Sequence, residues 1–326
     1  MLTHRQRLEN CISGGPLDRP PVSLWRHFPV DDQTPDGLTA SVVAFQKTYD
    51  YDFVKVTPES TYSVKDWGLD DRWDGAAEGT RTYTELPIQS PDDWLKLKPL
   101  DPTTGRISDQ LKALSAITAA LGPDTPVIET VFSPLTQARK MAGEETLAVH
   151  MRRYPDAVHA GLKTLTESTV RFLEAIKSTG VAGIFYALQY AQYSLIGPEE
   201  YNQFARPYHL QALGPAKEFW LNVLHLHGND VMFEKATELP VQVINWHDTE
   251  TDPDLGTAKA HFDGVVCGGL RQWKTMVLGS PADIQREADE AIAATHGERF
   301  ILGTGCVTPI TAPHGNLLAA RQSVGA

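Results

Sequence analysis

Two histidines one residue apart, His225 and His227, close a short apolar run, Asn222-Val223-Leu224-His225-Leu226-His227-Gly228-Asn229. Side chains on a strand alternate between its faces, so the two imidazoles share one side. At a strand's end such a pair could hold one metal ion, and a further donor stands far along the chain in Gly303-Thr304-Gly305-Cys306. Zinc accepts imidazole nitrogen and thiolate sulfur in tetrahedral geometry, and a catalytic site leaves one position open for substrate. His225, His227 and Cys306 are therefore the candidate metal ligands. His247 or Glu59 could replace one of them, and Asn229, Asn245 and Asp248 are candidates to orient an imidazole. The plainer alternatives are a hydrogen-bonding histidine at a strand end and, for Cys306, a small buried hydrophobe.

What must position these groups is a series of short apolar runs. Residues 20–24, 53–56, 127–131, 183–188, 222–227, 241–246, 264–267 and 300–303 read as eight strands. Helical spacing lies between most of them, at 38–49, 107–121, 155–178, 198–213 and 281–295, with a short helix before the first strand and another after the last. Alternating strands and helices imply a parallel sheet. Eight such units, with no glycine-rich dinucleotide fingerprint after the first, favour a single-domain (β/α)8 TIM barrel over an open sheet. One stretch breaks the rhythm. Residues 60–105 are a long excursion after the second strand, rich in Asp, Gly, Pro and Trp, whose Tyr62, Trp67, Trp73 and Trp94 suit a subsidiary layer or a flap over a site.

In a barrel of this kind the site lies at the C-terminal ends of the strands. Those positions hold Arg26 and His27, Thr57 and Glu59, Ser133, Tyr186 and Gln189, His225 and His227, His247 and Asp248, and Cys306. Polar residues follow nearly every strand while the strand interiors are apolar, which is the pattern of a functional rim. Trp25 and Tyr186 suit packing as readily as chemistry. Arg26 suits either a substrate carboxylate or phosphate or a salt bridge.

Bulk composition excludes some classes. A net charge of −12 over 326 residues argues against a nucleic-acid partner, whose phosphates need a basic face. No apolar run approaches the ~18 residues of a membrane span, and the polar N-terminus lacks the core of a signal peptide. Three scattered cysteines, Cys11, Cys267 and Cys306, make no disulfide framework and fit a reducing, cytoplasmic setting.

The chain resembles the uroporphyrinogen decarboxylase superfamily over nearly its whole length. Asp18-Arg19-Pro20-Pro21-Val22 resembles that family's approach to its first barrel strand. Tyr154-Pro155-Asp156-Ala157-Val158-His159, Gly180 and Tyr201-Asn202-Gln203-Phe204-Ala205-Arg206-Pro207-Tyr208 carry the most specific part, and Gly305-Cys306 with Pro309 and Asn316 the end. The resemblance implies two chemistries. One is metal-free decarboxylation of uroporphyrinogen, which uses paired arginines in an RQAGRY-like loop and an aspartate after the second strand. Here the loop is Trp25-Arg26-His27-Phe28-Pro29, with one arginine, and the second strand ends in Thr57-Pro58-Glu59. The other is zinc-dependent alkyl transfer to a thiol, as in cobalamin-linked coenzyme M methyltransferases, which carry H-x-C-G after the fifth strand and a cysteine after the eighth. His225-Leu226-His227-Gly228 matches with histidine for the first cysteine, and Cys306 matches the second.

The expectation is thus a zinc enzyme transferring a methyl or alkyl group to a thiol or similar small nucleophile, with a cobalamin methyl donor and a corrinoid protein as possible partners. Arg26 and His27 would bind or protonate substrate, and Tyr186 and His247 would orient it. Trp25, Lys55, Glu59, Ser133, Gln189, Asn245 and Asp248 complete the candidate substrate contacts. The alternative is decarboxylation of a tetrapyrrole or other polycarboxylate, with Arg26 and Lys55 on carboxylates and His27 or His247 as proton donor. A non-catalytic corrinoid- or small-molecule-binding barrel is the third reading. A homodimer is expected from the resemblance alone.

Overall fold

Strands that are apolar along their whole length need cover on both faces, and in a parallel sheet helices supply it on one of them. A computed structural model describes residues 1–325. Its strands are β1 (Val54–Val56), β2 (Asp70–Arg72), β3 (Thr82–Glu85), β4 (Val127–Phe132), β5 (Gly183–Leu188), β6 (Val223–Leu226), β7 (Val243–Trp246), β8 (Val265–Leu270) and β9 (Phe300–Thr304). β1 and β4 to β9 form one curled, parallel, seven-stranded sheet whose spatial order is the chain order. Helices on its outer side include Gly105–Leu121, Pro155–Ile176 and Pro281–Thr295.

The alternation within each strand sorts its residues into two cores. One parity, including Val56, Val131, Ile184, Tyr186, Leu224, Ile244, Trp246, Val266 and Leu302, packs against the helices. The other, with Phe53, Ile128, Phe185, Val223, Val243, Val265, Cys267 and Ile301, meets in the interior of the curl. Two residues further along several of these interior rows the types turn polar: Phe53 leads to Lys55, Ile128 to Thr130, Val223 to His225 and Val243 to Asn245.

The expected eight strands are seven plus a bridge. Residues 20–24 lie between β9 and β1, where Val22 pairs with Leu302 as an isolated parallel bridge. The Ser23 N–H donates to Leu302 O at 3.0 Å, and the Asp52 N–H donates to Val22 O at 2.8 Å. Pro20 and Pro21 have no N–H to give a ladder, so the segment touches both neighbours without becoming a regular strand. Asp52 clamps it. Its buried carboxylate accepts from Val22 N, Arg7 Nη1 and Arg19 Nη1 at 2.8, 2.6 and 2.6 Å. The helix His4–Ser13, opened by a capping box on Thr3, places Leu8 and Cys11 under the interior core.

The long excursion divides in two. Tyr62 and Trp94 join the outer core. β2 and β3 pair antiparallel as a separate two-stranded layer, and the chain between them, 73–81, forms a flap. Among the described residues no helix is long and apolar enough to cross a membrane.

Candidate metal centre

β6 places His225 in register with Asn245 of β7. The Asn245 Nδ2 donates to the carbonyls of Cys267 and Thr304 at 2.9 and 3.0 Å. Its Oδ1 therefore faces His225 Nδ1, 2.7 Å away, and accepts from it. This fixes the tautomer: Nδ1 carries the proton and Nε2 the lone pair. Nε2 of His225 is buried without a partner, and so is Nε2 of His247. His247 Nδ1 turns to Glu250 Oε2 at 3.4 Å. His227 Nδ1 lies 3.6 Å from Cys306 Sγ. One ligand atom from each of His225, His227, His247 and Cys306 falls within 4.8 Å of all the others.

Local sequence explains how groups so distant along the chain meet. The sheet curls from β6 through β7 and β8 to β9, so the end of β9 returns alongside His247. There Gly305 is required, because a Cβ at that position would stand 2.7 Å from His247 Cα and 2.9 Å from Trp246 O. Its lack of a side chain lets Cys306 enter the cluster.

Burial holds the imidazoles neutral. It pushes His225 well below the ordinary histidine value, and the nearby His227 and His247 add to the effect. His227 falls to about 3 and His247 is lowered as well, burial being the main cause in both. Neutral imidazoles are the form that ligates a metal. Burial raises the Cys306 thiol to about 12, and a coordinated cation would reverse that, since a coordinating thiol is deprotonated. Two unpartnered nitrogens, a fixed tautomer and a soft sulfur in one cluster fit a zinc-type ion.

Three of the four, His225, His227 and Cys306, line a cavity of about 70 Å³. Of the sequence candidates, Trp25, His27, Lys55, Gln189, His225, His227 and Cys306 line it, and Thr57 with them. Asn245 stands directly behind His225. Others are not brought to the cavity. Tyr186 has the outward parity of β5 and its hydroxyl pairs with His209 Nδ1 at 3.2 Å. Arg26 lies over Phe28 and Phe45 and donates to Ile310 O at 3.4 Å. Glu59 is buried in an ion cluster with Lys65, Arg81 and Arg106. Ser133 caps the helix Pro134–Ala142. Asp248 accepts from Gly269 N at 3.0 Å on the outer side, and its burial raises it to about 7.

Sequence reading passed over Glu78 and Thr80, which reach the cavity from the flap, and Thr130, Phe132 and Phe185 within the strands. Glu78 accepts from Gln272 Nε2 at 2.8 Å and Trp273 Nε1 at 3.2 Å, tying the flap to the far rim. The paired glycines Gly75 and Gly79 around Glu78, both at positive φ, were the available signal.

The chain belongs to the uroporphyrinogen decarboxylase (URO-D) family, whose model matches residues 3–326. Within it, the chain is 25% identical over 232 residues to the methylcobamide:CoM methyltransferase MtbA of Methanosarcina mazei, covering 71% of this chain and 67% of that protein. It is 28% identical over 247 residues to a uroporphyrinogen decarboxylase of Mycobacterium sp. (strain KMS), covering 70% and 67%. A solved methyltransferase from Methanosarcina mazei shares the fold with a TM-score of 0.84 at 19% identity, covering 99% of this chain and 98% of the other.

Proposed function

We propose that this chain is a zinc-dependent methyl- or alkyltransferase that activates a thiol or similar small nucleophile, with a corrinoid as methyl donor. The observation that carries the reading is the convergence of His225, His227 and Cys306 on one point of the cavity wall, with His247 alongside them. Residues at that point would hold zinc, which supplies Lewis acidity and lowers the pKa of a bound thiol. Relatives that are methylcobamide:CoM methyltransferases support transfer. The barrel is read as closed through the Val22 bridge, which brings the first and last strands together around the site.

The chain's own groups have separable tasks. Asn245 holds His225 in the ligating tautomer, and Glu250 does the same for His247 from the rim. Trp25, Phe132 and Phe185 give the acceptor apolar walls, and the flap excludes water while Glu78 is tied to Gln272 and Trp273. His27, pushed by burial to about 3, stays neutral and faces substrate as a hydrogen-bonding group. A polycarboxylate tetrapyrrole suits this cavity poorly, because its described lining offers one lysine and no arginine.

Elemental analysis of protein purified without added metal tests the reading. The expected result is about one zinc per chain, lost in Cys306→Ala, together with methyl transfer from methylcobamide to a thiol that stops when a chelator strips the metal. Full transfer by the stripped protein refutes it.

A further inference from the structure

We infer that Lys55 is the base that takes the proton from the acceptor as it enters the cavity. The inference rests on the transferase reading above. In the step, the S–H bond of the thiol breaks, its proton passes to Lys55 Nζ, and the sulfur keeps the electron pair for attack on the alkyl group.

The geometry carries this. Lys55 is the central residue of β1 and points inward, where it is almost fully buried and lines the same cavity as His225, His227 and Cys306. Among the described residues its nitrogen has one hydrogen-bond partner, the Thr57 hydroxyl at 3.2 Å, and no carboxylate in ion-pair range. A buried lysine without a counter-ion sheds its proton readily. Burial lowers Lys55 to about 7, with Cys306 and Glu129 opposing the shift.

The amine also has somewhere to put a charge once it gains one. Its nitrogen lies 4.7 Å from the centre of the Phe185 ring, a cation–π distance. The same ring stacks on His225 at 5.1 Å, so one aromatic ring separates base and metal cluster.

No competing group serves as well. His27, facing Lys55 from the segment after Val22, is held near 3 chiefly by burial. Glu78 of the flap is engaged by Gln272 and Trp273. Glu129 belongs to the outward parity of β4, where Gln110 donates to it at 3.0 Å. Lys140, from the helix Pro134–Ala142, is turned onto Ser60 O and the Phe132 ring.

Calorimetry of ethanethiol binding to the zinc-loaded protein, repeated at pH 8 in buffers of different ionisation enthalpy, counts the protons released. A simple alkyl thiol arrives protonated, and an amine titrating near 7 is about nine-tenths neutral at that pH. The wild type should release close to zero protons per thiol bound, and Lys55→Met and Lys55→Gln close to one. Release of one proton by the wild type overturns the inference while leaving the transferase reading intact, and needs no folded variant. Zero release by wild type and variants alike assigns the proton to another group and overturns it too. Failure of the wild type to bind the thiol at all refutes both.

Discussion

Replacing Asn245 by alanine separates the orientation of a ligand from its presence. The side chain makes three hydrogen bonds, one accepted from His225 and two donated to the carbonyls of Cys267 and Thr304. Without it, His225 can carry its proton on either nitrogen and swing about its χ angles. Loss of such an orienting partner costs ~10–100-fold in metal affinity, which is about 1.4–2.7 kcal/mol. The two carbonyls lose donors in a buried setting, a further destabilisation of the fold of about 2 kcal/mol. Asn245→Asp splits the two effects. A carboxylate still accepts from His225 Nδ1 and makes the ring more basic, but sets an oxygen against two carbonyl oxygens. Metal affinity should therefore hold or rise while stability falls further than in the alanine variant. Competition against a chelator of known affinity measures the first quantity, and thermal melting of the metal-free protein the second. Zinc binding by Asn245→Ala within about twofold of wild type, against the tenfold minimum expected, would refute the assignment of His225 Nε2 as a ligand. So would affinities that merely track stability across the two variants.

Acid should loosen the N-terminal side of the molecule first. Salt bridges and hydrogen bonds hold the Asp52 carboxyl at about 2 against its burial; a depressed folded value means stability that is complete above the unfolded value near 4 and lost as pH falls toward 2. Denaturant titrations across that window should show a loss of about 2 kcal/mol that is absent in Asp52→Asn, and equal slopes in the two proteins would count against it. Gly79→Ala should lift the flap, because φ is +79° and the new Cβ would stand 2.4 Å from His27 Cβ; faster hydrogen exchange over residues 73–81, with the melting of the sheet unchanged, is the expected readout. Tyr186→Phe should keep thiol alkylation within about twofold and lose about 1 kcal/mol from the missing bond to His209; a collapse of activity would place Tyr186 in the chemistry after all.

Much of this architecture is written in period-two runs, and its failures have a common cause. Strand parity placed His225 and His227 on one face and needed nothing else. That Cys306 joins them, 79 residues after His227, depended on the sheet curling through β7 and β8, which the succession of strands and helices implied. Parity alone does not say which face is the inside of a curl. Tyr186 sits within β5 and points outward, a fact settled only by its neighbours Ile184 and Leu188 packing on helices. Past a strand's end alternation stops altogether, so Arg26, Glu59, Ser133 and Asp248 shared the rim by position yet were drawn into caps, ion clusters and aromatic stacks. The first predicted strand failed for a local reason, the two prolines that cannot donate to a ladder.

Lys55, legible in the sequence as a substrate contact but not as a base, and Glu78, passed over altogether, mark two ways in which chemistry hides from a linear reading. Lysine in a Val-Lys-Val strand ordinarily reaches for water along its stem, and only the buried interior, with Phe185 on one side and no carboxylate in ion-pair range, lowers it to about 7. Glu78 belongs to a loop with no periodicity at all, held in place by Gln272 and Trp273 from the opposite rim. Both depend on the same feature, the flap laid over the cavity, which shields its lining from water. A metal cluster of neutral imidazoles, a base without a counter-ion and a tied lid each gain from that exclusion, since every electrostatic interaction strengthens as the local dielectric falls. The prediction that ties them together is that Glu78→Ala, by freeing the flap, raises the pKa of Lys55 toward its ordinary value. The pH dependence of Lys55 methylation by formaldehyde and cyanoborohydride, read by mass spectrometry, should then shift upward from near 7. An unshifted profile would mean that the sheet alone, without the flap, makes the site.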